Sequence, residues 1–322
     1  MLHGWIILDK PLGLGSTSAV SAVKRALREA GEPKTKVGHG GTLDPLATGV
    51  LPIALGEATK LAGRMLDATK AYDFTIAFGA QTDTLDLEGK IIATSDHLPT
   101  LAEVQSILPQ FTGLIEQVPP AYSALKVDGE RAYDLARKGI EVELKTRSVT
   151  VFSLLPLGGG GGDADGGVSA ALTSPALRAT SPKGKELASI TLSATVSKGT
   201  YIRSLARDIA IALGTVGHVI MLRRIKAGPF TLDQAISLDN LMQSAKARAL
   251  TRMVLPLAAG LDDIPALPVT PDQARLLRQG QMLFGIPAPP GLHLAIVAET
   301  PVALVEVSED GCKVVRGFNL ET

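Results

Sequence analysis

The chain has 322 residues, of which 45% are hydrophobic and only 4% aromatic, so it can bury a sizeable and mostly aliphatic core. Its 32 basic and 32 acidic side chains cancel, so the overall charge gives no sign of a nucleic-acid partner. Cys312 is the lone cysteine, which excludes an intrachain disulfide and a cysteine-based zinc site and fits a reducing cytoplasm. We expect neither a signal peptide nor a membrane span, because the apolar run at residues 4–8 is short and charges follow it.

The first half of the chain predicts short strands alternating with helices. Hydrophobic spacing and capping residues mark their ends, as where Ser16 is a plausible N-cap and Gly31 a helix stop. Thr100 and Glu103 have the spacing of a capping box. In chain order the patterns predict a strand at 4–8, a helix at 16–30, a short helix at 58–66, a strand at 72–78, a helix at 100–108, a helix at 132–138 and a strand at 149–155.

Residues 158–181 interrupt this order with five consecutive glycines followed by Ala, Asp, Ser and Pro. Such a composition cannot bury enough apolar area to offset its ordering entropy, which predicts a flexible insertion. A phosphate-binding loop is the less favoured alternative, since no Gly-Lys-Ser/Thr follows the glycines.

The second half resumes with the same alternation and then changes character near residue 264, where Pro, Gly and short β-rich runs dominate. We therefore predict a catalytic domain over 1–260 and a small β-barrel over 261–322. The predicted elements are a strand at 188–196, a helix at 203–213, a strand at 216–225, a helix at 238–248, a short helix at 271–277, strands at 294–297 and 302–307, and a hairpin turn at 310–311 leading into 313–315.

The loop Gly38-His39-Gly40-Gly41-Thr42-Leu43-Asp44-Pro45 places one acid among glycines and threonine, with proline directly behind it. Pro45 fixes its own φ and biases Asp44 away from the α region, while the glycines allow backbone or ligand to approach closely. A carboxylate held on a stiff turn is typical of a catalytic acid. The alternative is a tight turn between two core elements.

This loop resembles the catalytic motif of the TruB-type bacterial tRNA pseudouridine synthases, and Asp44 stands at the position of their catalytic aspartate. The chain departs from some relatives at Gly40-Gly41-Thr42 and at Ala71. A weaker resemblance links the last 60 or so residues to the PUA domain of RNA-modifying enzymes, with an SH3-like or OB-like barrel as the alternative. Further segments resembling the family's motifs follow in order: Asp9–Gly13 with Val23–Arg25, Lys70–Tyr72, Ser197–Arg203 and His218–Arg224.

The resemblance implies an α+β fold built on a largely antiparallel sheet, and isomerisation of uridine 55 to pseudouridine in the T-loop of tRNA. It implies that Asp44, Tyr72 and Arg203 are catalytic. Arg203 would keep Asp44 ionised, and Tyr72 would stack on the target base and assist proton transfer. Attack of Asp44 on the base and attack on the sugar carbon both stay open. The alternatives are a core position for Tyr72 and a surface position for Arg203.

The resemblance also implies substrate contacts. An extruded uridine leaves a gap in the base stack, and His39 fits the residue that fills it. A loop histidine with satisfied hydrogen bonds is an equal alternative, and Lys60 could equally be solvated. The further substrate-binding residues implied are Lys60, Asp86, Tyr201 and Leu222.

The chemistry requires no cofactor and no metal, and the histidines do not have the spacing of metal ligands. We expect tRNA, through its T-arm, as the partner, and a monomer without membrane association. Competing hypotheses are a non-catalytic tRNA-binding or folding protein on the same scaffold, a subunit of a guide-RNA particle and a metal-dependent hydrolase. Basic residues that could form an RNA-binding face hidden in the neutral total are Lys24, Arg25, Arg28, Lys34 and Lys36, and then Lys198, Arg203, Arg207, Arg223, Arg224 and Lys226.

Overall fold

The computed structural model describes residues 1–123, 125–127, 129–140, 144–157 and 186–320. The predicted insertion at 158–181 lies outside the described residues. Contacts divide the chain into two compact units: unit 1 is Met1–Ala68 with Lys226–Thr322, and unit 2 is Thr69–Ile225. The sequence predicts a domain boundary between residues 260 and 261, and this boundary stays a prediction.

The described elements follow one another as short strands and helices. The strands are β1 (Gly4–Lys10), β2 (Val37–His39), β3 (Ala47–Leu55), β4 (Lys70–Phe78), β5 (Ala80–Thr82), β6 (Ile91–Thr94), β7 (Gly113–Gln117), β8 (Lys126–Val127), β9 (Glu130–Arg131), β10 (Arg147–Pro156), β11 (Ser189–Val196), β12 (Gly217–Ala227), β13 (Phe230–Thr231), β14 (Ile236–Ser237), β15 (Ala266–Pro268), β16 (Gly291–Val297), β17 (Thr300–Ser308) and β18 (Gly311–Gly317). The α-helices are α1 (Ser16–Glu29), α2 (Ala62–Asp67), α3 (Leu101–Ile107), α4 (Ala132–Arg137), α5 (Ile202–Ala212), α6 (Leu238–Lys246) and α7 (Pro271–Arg278). Short 3-10 helices cover Gly56–Leu61, Leu108–Phe111, Leu232–Gln234, Leu250–Met253 and Leu257–Gly260.

In unit 1, β1 pairs antiparallel with β3 along its whole length, from Gly4 opposite Leu55 to Lys10 opposite Gly49. Strand β14 adds to β1 in parallel, and β2 pairs antiparallel with β3. Because β2 and β3 are neighbours joined by residues 40–46, the loop that carries Asp44 is the connection between two paired strands. The loop therefore begins after His39, which pairs with Ile53, and ends where β3 begins at Ala47.

A second sheet in unit 1 has the order β15-β16-β17-β18, and α7 packs on it. Leu294, Leu304 and Phe318 of this region share a buried cluster with Trp5, whose ring lies 5.3 Å from that of Phe230. Burial of these large side chains is what holds the C-terminal sheet on β1. A small sheet thus lies where the sequence predicts a small β-barrel.

In unit 2 the strand order is β12-β4-β11-β10-β7. Strands β4 and β11 pair antiparallel from Lys70 opposite Val196 to Ala77 opposite Ser189. The apolar face of α5 covers this sheet, and the two share a buried cluster. The order of elements, and described sheets in which β1–β14 and β15–β16 are parallel and most other pairs antiparallel, confirm the predicted α+β class.

Most predicted elements are present with ends shifted by a few residues. The Thr100–Glu103 capping box is confirmed. The prediction of Ser16 as an N-cap is wrong, because Gly15 occupies that position and no side-chain cap forms. The predicted helix at 58–66 divides into a 3-10 turn and α2. No helix within the described ranges has the length and apolar character that a membrane crossing requires.

Candidate active site

The loop that carries Asp44 is hydrogen-bonded to a buried cation, the ammonium of Lys10. Lys10 at the end of β1 is 0% exposed, and its ammonium donates hydrogen bonds to the carbonyl oxygens of Pro11 at 3.1 Å, Leu14 at 2.6 Å and Pro45 at 3.2 Å. The Pro45 carbonyl also accepts a bond from the Gly13 amide at 2.9 Å. Burial of an ammonium is costly unless its donors are satisfied. Lys10 therefore ties the residue behind Asp44 to the loop that follows β1.

The other side of Asp44 is held by Ser16. Its hydroxyl donates to the Leu43 carbonyl at 2.9 Å and accepts from the Leu43 amide at 2.8 Å. The Asp44 carbonyl in turn accepts a bond from the Ala47 amide at 3.0 Å. Asp44 itself is half-buried. Its backbone is fixed on both sides, which is the rigid presentation that the sequence predicts for this carboxylate.

The glycines before Asp44 are required by space and by backbone angle. A Cβ on Gly40 would lie 2.6 Å from the Cβ of Met65, and Gly41 has a φ of 131°, which favours glycine. His39 ends β2 and is half-buried, and its Nδ1 accepts a long bond of 3.4 Å from the Gly41 amide. The imidazole thus contacts the loop that carries Asp44.

Lys60 also belongs to unit 1, where it forms an ion pair and a hydrogen bond. Its ammonium forms an ion pair with Glu57 at 2.7 Å and donates to the Gly317 carbonyl of β18 at 2.9 Å. Burial opposes ionisation of Glu57, but the Lys60 ammonium and the Asn319 amide together hold the pKa of Glu57 below its ordinary value. In this arrangement Lys60 joins the turn after β3 to the C-terminal sheet, while its role toward substrate stays a prediction.

Arg203 of α5 is buried in unit 2 and is held by backbone carbonyls. Its guanidinium donates to the Thr84 carbonyl at 2.8 Å and to the Tyr122 carbonyl at 2.9 Å. It also lies 3.5 Å from the Asp86 carboxylate. The alternative of a surface position is therefore wrong for this side chain. The rigid, planar guanidinium suits a site where several fixed acceptors converge.

Asp86 is buried beside Arg203 in a tight loop. It accepts a bond from the Thr84 hydroxyl at 2.5 Å and one from the Glu88 amide at 3.0 Å. Between them, Leu85 has a φ of 63°, which a branched side chain adopts rarely. The Leu85 carbonyl accepts from the Val219 amide of β12 at 3.0 Å, and this contact helps to hold the strained turn in place.

The remaining predicted residues of unit 2 lie around one apolar cluster. Tyr72 of β4 and Leu222 of β12 are half-buried and pack against the cluster that α5 also covers. Tyr201 directly precedes α5, and the guanidinium of Arg147 lies 5.2 Å from its ring centroid. Unit 2 thus brings Arg203 together with Asp86. Asp44 belongs to unit 1, and its pairing with Arg203 stays a prediction.

The basic residues that the sequence groups between Lys198 and Lys226 do not form one exposed face. Arg203 and Arg224 are buried, and Arg207 pairs with Asp208 at 2.8 Å. In unit 1 the picture differs. Exposed basic side chains on α1 and the following loop are Lys24, Arg25, Arg28, Lys34 and Lys36, alongside the acids Glu29 and Glu32.

Three residues that support the site could not be predicted from the sequence. Lys10 lies within a motif that resembles the family's, but nothing in the pattern predicts its role, and no pattern marks Thr84 or Gln117. Their partners are distant in sequence or are backbone groups, so periodicity carries no signal for them. Among the described residues, no group of three or more His, Cys, Asp or Glu side chains is placed to hold a metal ion.

Two family models match the chain. Residues 24–159 match the TruB family pseudouridylate synthase N-terminal domain, and residues 203–262 match the tRNA pseudouridylate synthase B C-terminal domain. Curated relatives named tRNA pseudouridine synthase B match nearly end to end. That of Novosphingobium aromaticivorans is 60% identical, covering 100% of this chain and 99% of its own. That of Zymomonas mobilis is 58% identical, covering 99% and 96%.

Solved structures share the fold at low identity. One is described as the structure of an H/ACA RNP bound to a substrate RNA containing 2′-deoxyuridine. Its matching chain has a TM-score of 0.68 and 22% identity, covering 99% of this chain and 86% of that one. A second is the archaeal box H/ACA sRNP Nop10-Cbf5 complex, with a TM-score of 0.65, 22% identity and coverage of 98% and 86%. At this identity the likeness shows the architecture and no more.

Proposed function

The chain belongs to the TruB family of pseudouridylate synthases, and we propose that the uridine it isomerises is number 55 in the T-loop of tRNA. Family membership and end-to-end identity of 60% to a tRNA pseudouridine synthase establish conversion of uridine to pseudouridine in tRNA. The observation that supports Asp44 as the catalytic group is its loop. Lys10 and Ser16 hold the residues on either side of Asp44, within the segment that resembles the family's catalytic motif.

The reaction is an isomerisation that needs no external oxidant or reductant. The bond between C1′ of the ribose and N1 of uracil breaks, the base turns, and C1′ bonds to C5. The proton on C5 leaves to a base, and N1 gains a proton. We propose that the Asp44 carboxylate is the group that engages the nucleoside, which requires it to be ionised.

The other catalytic roles are proposals from the resemblance that fit the surroundings of each residue. Arg203 is the proposed cation that favours ionised Asp44, and its buried, carbonyl-bound guanidinium is always charged. Tyr72 is the proposed base-stacking residue, and it packs, like Leu222, against the apolar cluster of unit 2. Tyr201 is the proposed second aromatic contact, and Asp86 acts through Arg203.

RNA must dock before the base can leave the stack. We propose that a basic surface on unit 1, formed by Lys24, Arg25, Arg28, Lys34 and Lys36, contacts tRNA phosphates. The loop from Lys34 to Lys36 leads directly into β2 and His39. His39 is then proposed to occupy the gap left by the extruded uridine. A cytoplasmic monomer that acts on the T-arm completes the proposal.

The test uses the purified chain and an unmodified tRNA transcript, without guide RNA or other protein. Pseudouridine is mapped by its altered reverse-transcription stop after chemical labelling, in parallel with a transcript carrying cytidine at position 55. We expect modification at position 55 of the first transcript and none in the second. Modification at another uridine would overturn the proposed position, and a requirement for added guide RNA would favour the guide-RNA particle.

A further inference from the structure

We propose that Gln117 is a positioning residue for catalysis, which sets the start of helix α5 and thereby the placement of Tyr201 and Arg203. The inference rests on the proposed function of those two side chains. Gln117 ends β7 opposite Arg147 of β10, and it is 1% exposed. A buried primary amide needs hydrogen-bond partners for both its oxygen and its nitrogen.

Gln117 finds both partners on a single residue. Its Oε1 accepts a bond from the Tyr201 amide at 2.8 Å, and its Nε2 donates to the Tyr201 carbonyl at 3.1 Å. The side-chain amide thus pairs with Tyr201 as a neighbouring β-strand would. Two bonds from one planar group fix the position and the orientation of this peptide, which a single bond would not do.

Tyr201 is the residue on which α5 begins. It has an extended backbone with φ −100° and ψ 113°, it makes no side-chain cap, and its carbonyl accepts the first helical bond from Leu205 at 3.0 Å. The Gln117 amide therefore supplies the fixed point that a capping side chain commonly provides. Arg203 is the second residue of the helix, so a shift at Tyr201 moves its guanidinium.

Neighbouring hydrogen bonds also restrain the first turns of α5. The Val118 carbonyl accepts bonds from the Ser204 hydroxyl at 2.8 Å and from Arg207 at 3.1 Å. On the other side, Arg147 donates to the Gly199 carbonyl at 3.3 Å and stacks on the Tyr201 ring. Gln117 lies between these contacts and joins the edge of the sheet to the segment that carries both proposed functional side chains.

The test compares wild type with Gln117→Met, which keeps the side-chain volume and removes both hydrogen bonds. With excess enzyme and tRNA labelled with tritium at uracil C5, single-turnover release reports a rate constant and an amplitude. We expect the rate constant to fall about 10- to 100-fold, because small misplacement of reacting groups is that costly. The amplitude and the dissociation constant for tRNA should stay at wild-type values.

The matched control is Thr75→Val, which removes a hydrogen bond of the same sheet between β4 and β11, the bond of 2.9 Å between the hydroxyls of Thr75 and Thr191. It should leave the rate constant unchanged. If Gln117→Met does not fold, Gln117→Glu replaces it, since this variant keeps the acceptor and loses the donor; it should also be slowed.

Three outcomes are decisive. A wild-type rate constant in either Gln117 variant would overturn the inference. A reduced amplitude with a wild-type rate constant would also overturn it, because that pattern reports a smaller folded fraction and no misplaced group. Failure of the wild-type chain to release tritium would instead contradict the proposed function, and so the two claims fail in distinguishable ways.

Discussion

The guanidinium of Arg203 lies 3.5 Å from the carboxylate of Asp86, and the two side chains are only 7% and 10% exposed. The carbonyls of Thr84 and Tyr122 also accept hydrogen bonds from this cation. A buried charge that loses its counter-charge pays a large desolvation cost. This pair therefore ties the stability of unit 2 to the placement of a proposed catalytic group.

Asp86→Asn should lower the free energy of unfolding by about 3 kcal/mol, because the buried Arg203 cation loses the charge of a carboxylate 3.5 Å away. Denaturant unfolding measures the loss. Asp208→Asn is the matched control, since its partner Arg207 lies nearer the surface, and it should cost less than about 1 kcal/mol. Equal losses in the two variants would show that the Arg203–Asp86 pair has no special structural weight.

Lys10→Met should destabilise the chain by at least about 2 kcal/mol and slow catalysis, since three carbonyls around the Asp44 loop lose the hydrogen bond from the Lys10 ammonium. Thermal unfolding and single-turnover rates measure the two effects. Lys34→Met removes an exposed cation of the same unit and should leave stability unchanged. A Lys10→Met chain with wild-type stability would contradict the structural role assigned to this ammonium.

The Glu57–Lys60 pair should make stability depend on pH. The pKa of Glu57 is lower in the folded chain than in the unfolded chain, so its stabilisation is present above the unfolded pKa and is lost as the pH falls through the folded pKa. Unfolding free energies of wild type and Glu57→Gln should differ near neutral pH and converge in acid. A difference that does not change with pH would contradict this expectation.

The basic surface on unit 1 should contribute electrostatic affinity for tRNA. Lys24→Ser with Arg28→Ser should weaken binding and reduce the slope of log affinity against log salt by about 2, one unit for each phosphate contact. Filter binding over a salt series provides the measurement. Glu29→Gln, on the same helix, should not weaken binding. An unchanged slope in the double variant would place the phosphate contacts elsewhere.

Local sequence patterns predicted those structural features that depend on residues close together in the chain. The Thr100–Glu103 capping box spans three residues and could be predicted from its spacing. The pairing of Ser16 with Leu43 could not, because the partner is 27 residues away and the same serine also suits a helix N-cap. Lys60 shows the same limit, since its carbonyl partner Gly317 is 257 residues distant.

The sequence motifs predicted the candidate site residues. They did not predict the contacts that hold those residues in place. The resemblance located Asp44 and Arg203 on the chain, because unusual residues recur there in order. It did not show that Arg203 is buried among carbonyls, or that Leu85 has a positive φ beside it. Such features arise when packing over-determines a backbone conformation that the residue itself disfavours.

If the Asp44 carboxylate carries out the isomerisation, its replacement should abolish the loss of the hydrogen on uracil C5, which tritium release from C5-labelled tRNA measures. Wild type and Asp44→Asn are compared under single-turnover conditions, with tRNA binding measured on the same samples. We expect release by the wild type, and essentially none by Asp44→Asn at unchanged affinity. Release by Asp44→Asn at the wild-type rate would show that this carboxylate is not the catalytic group.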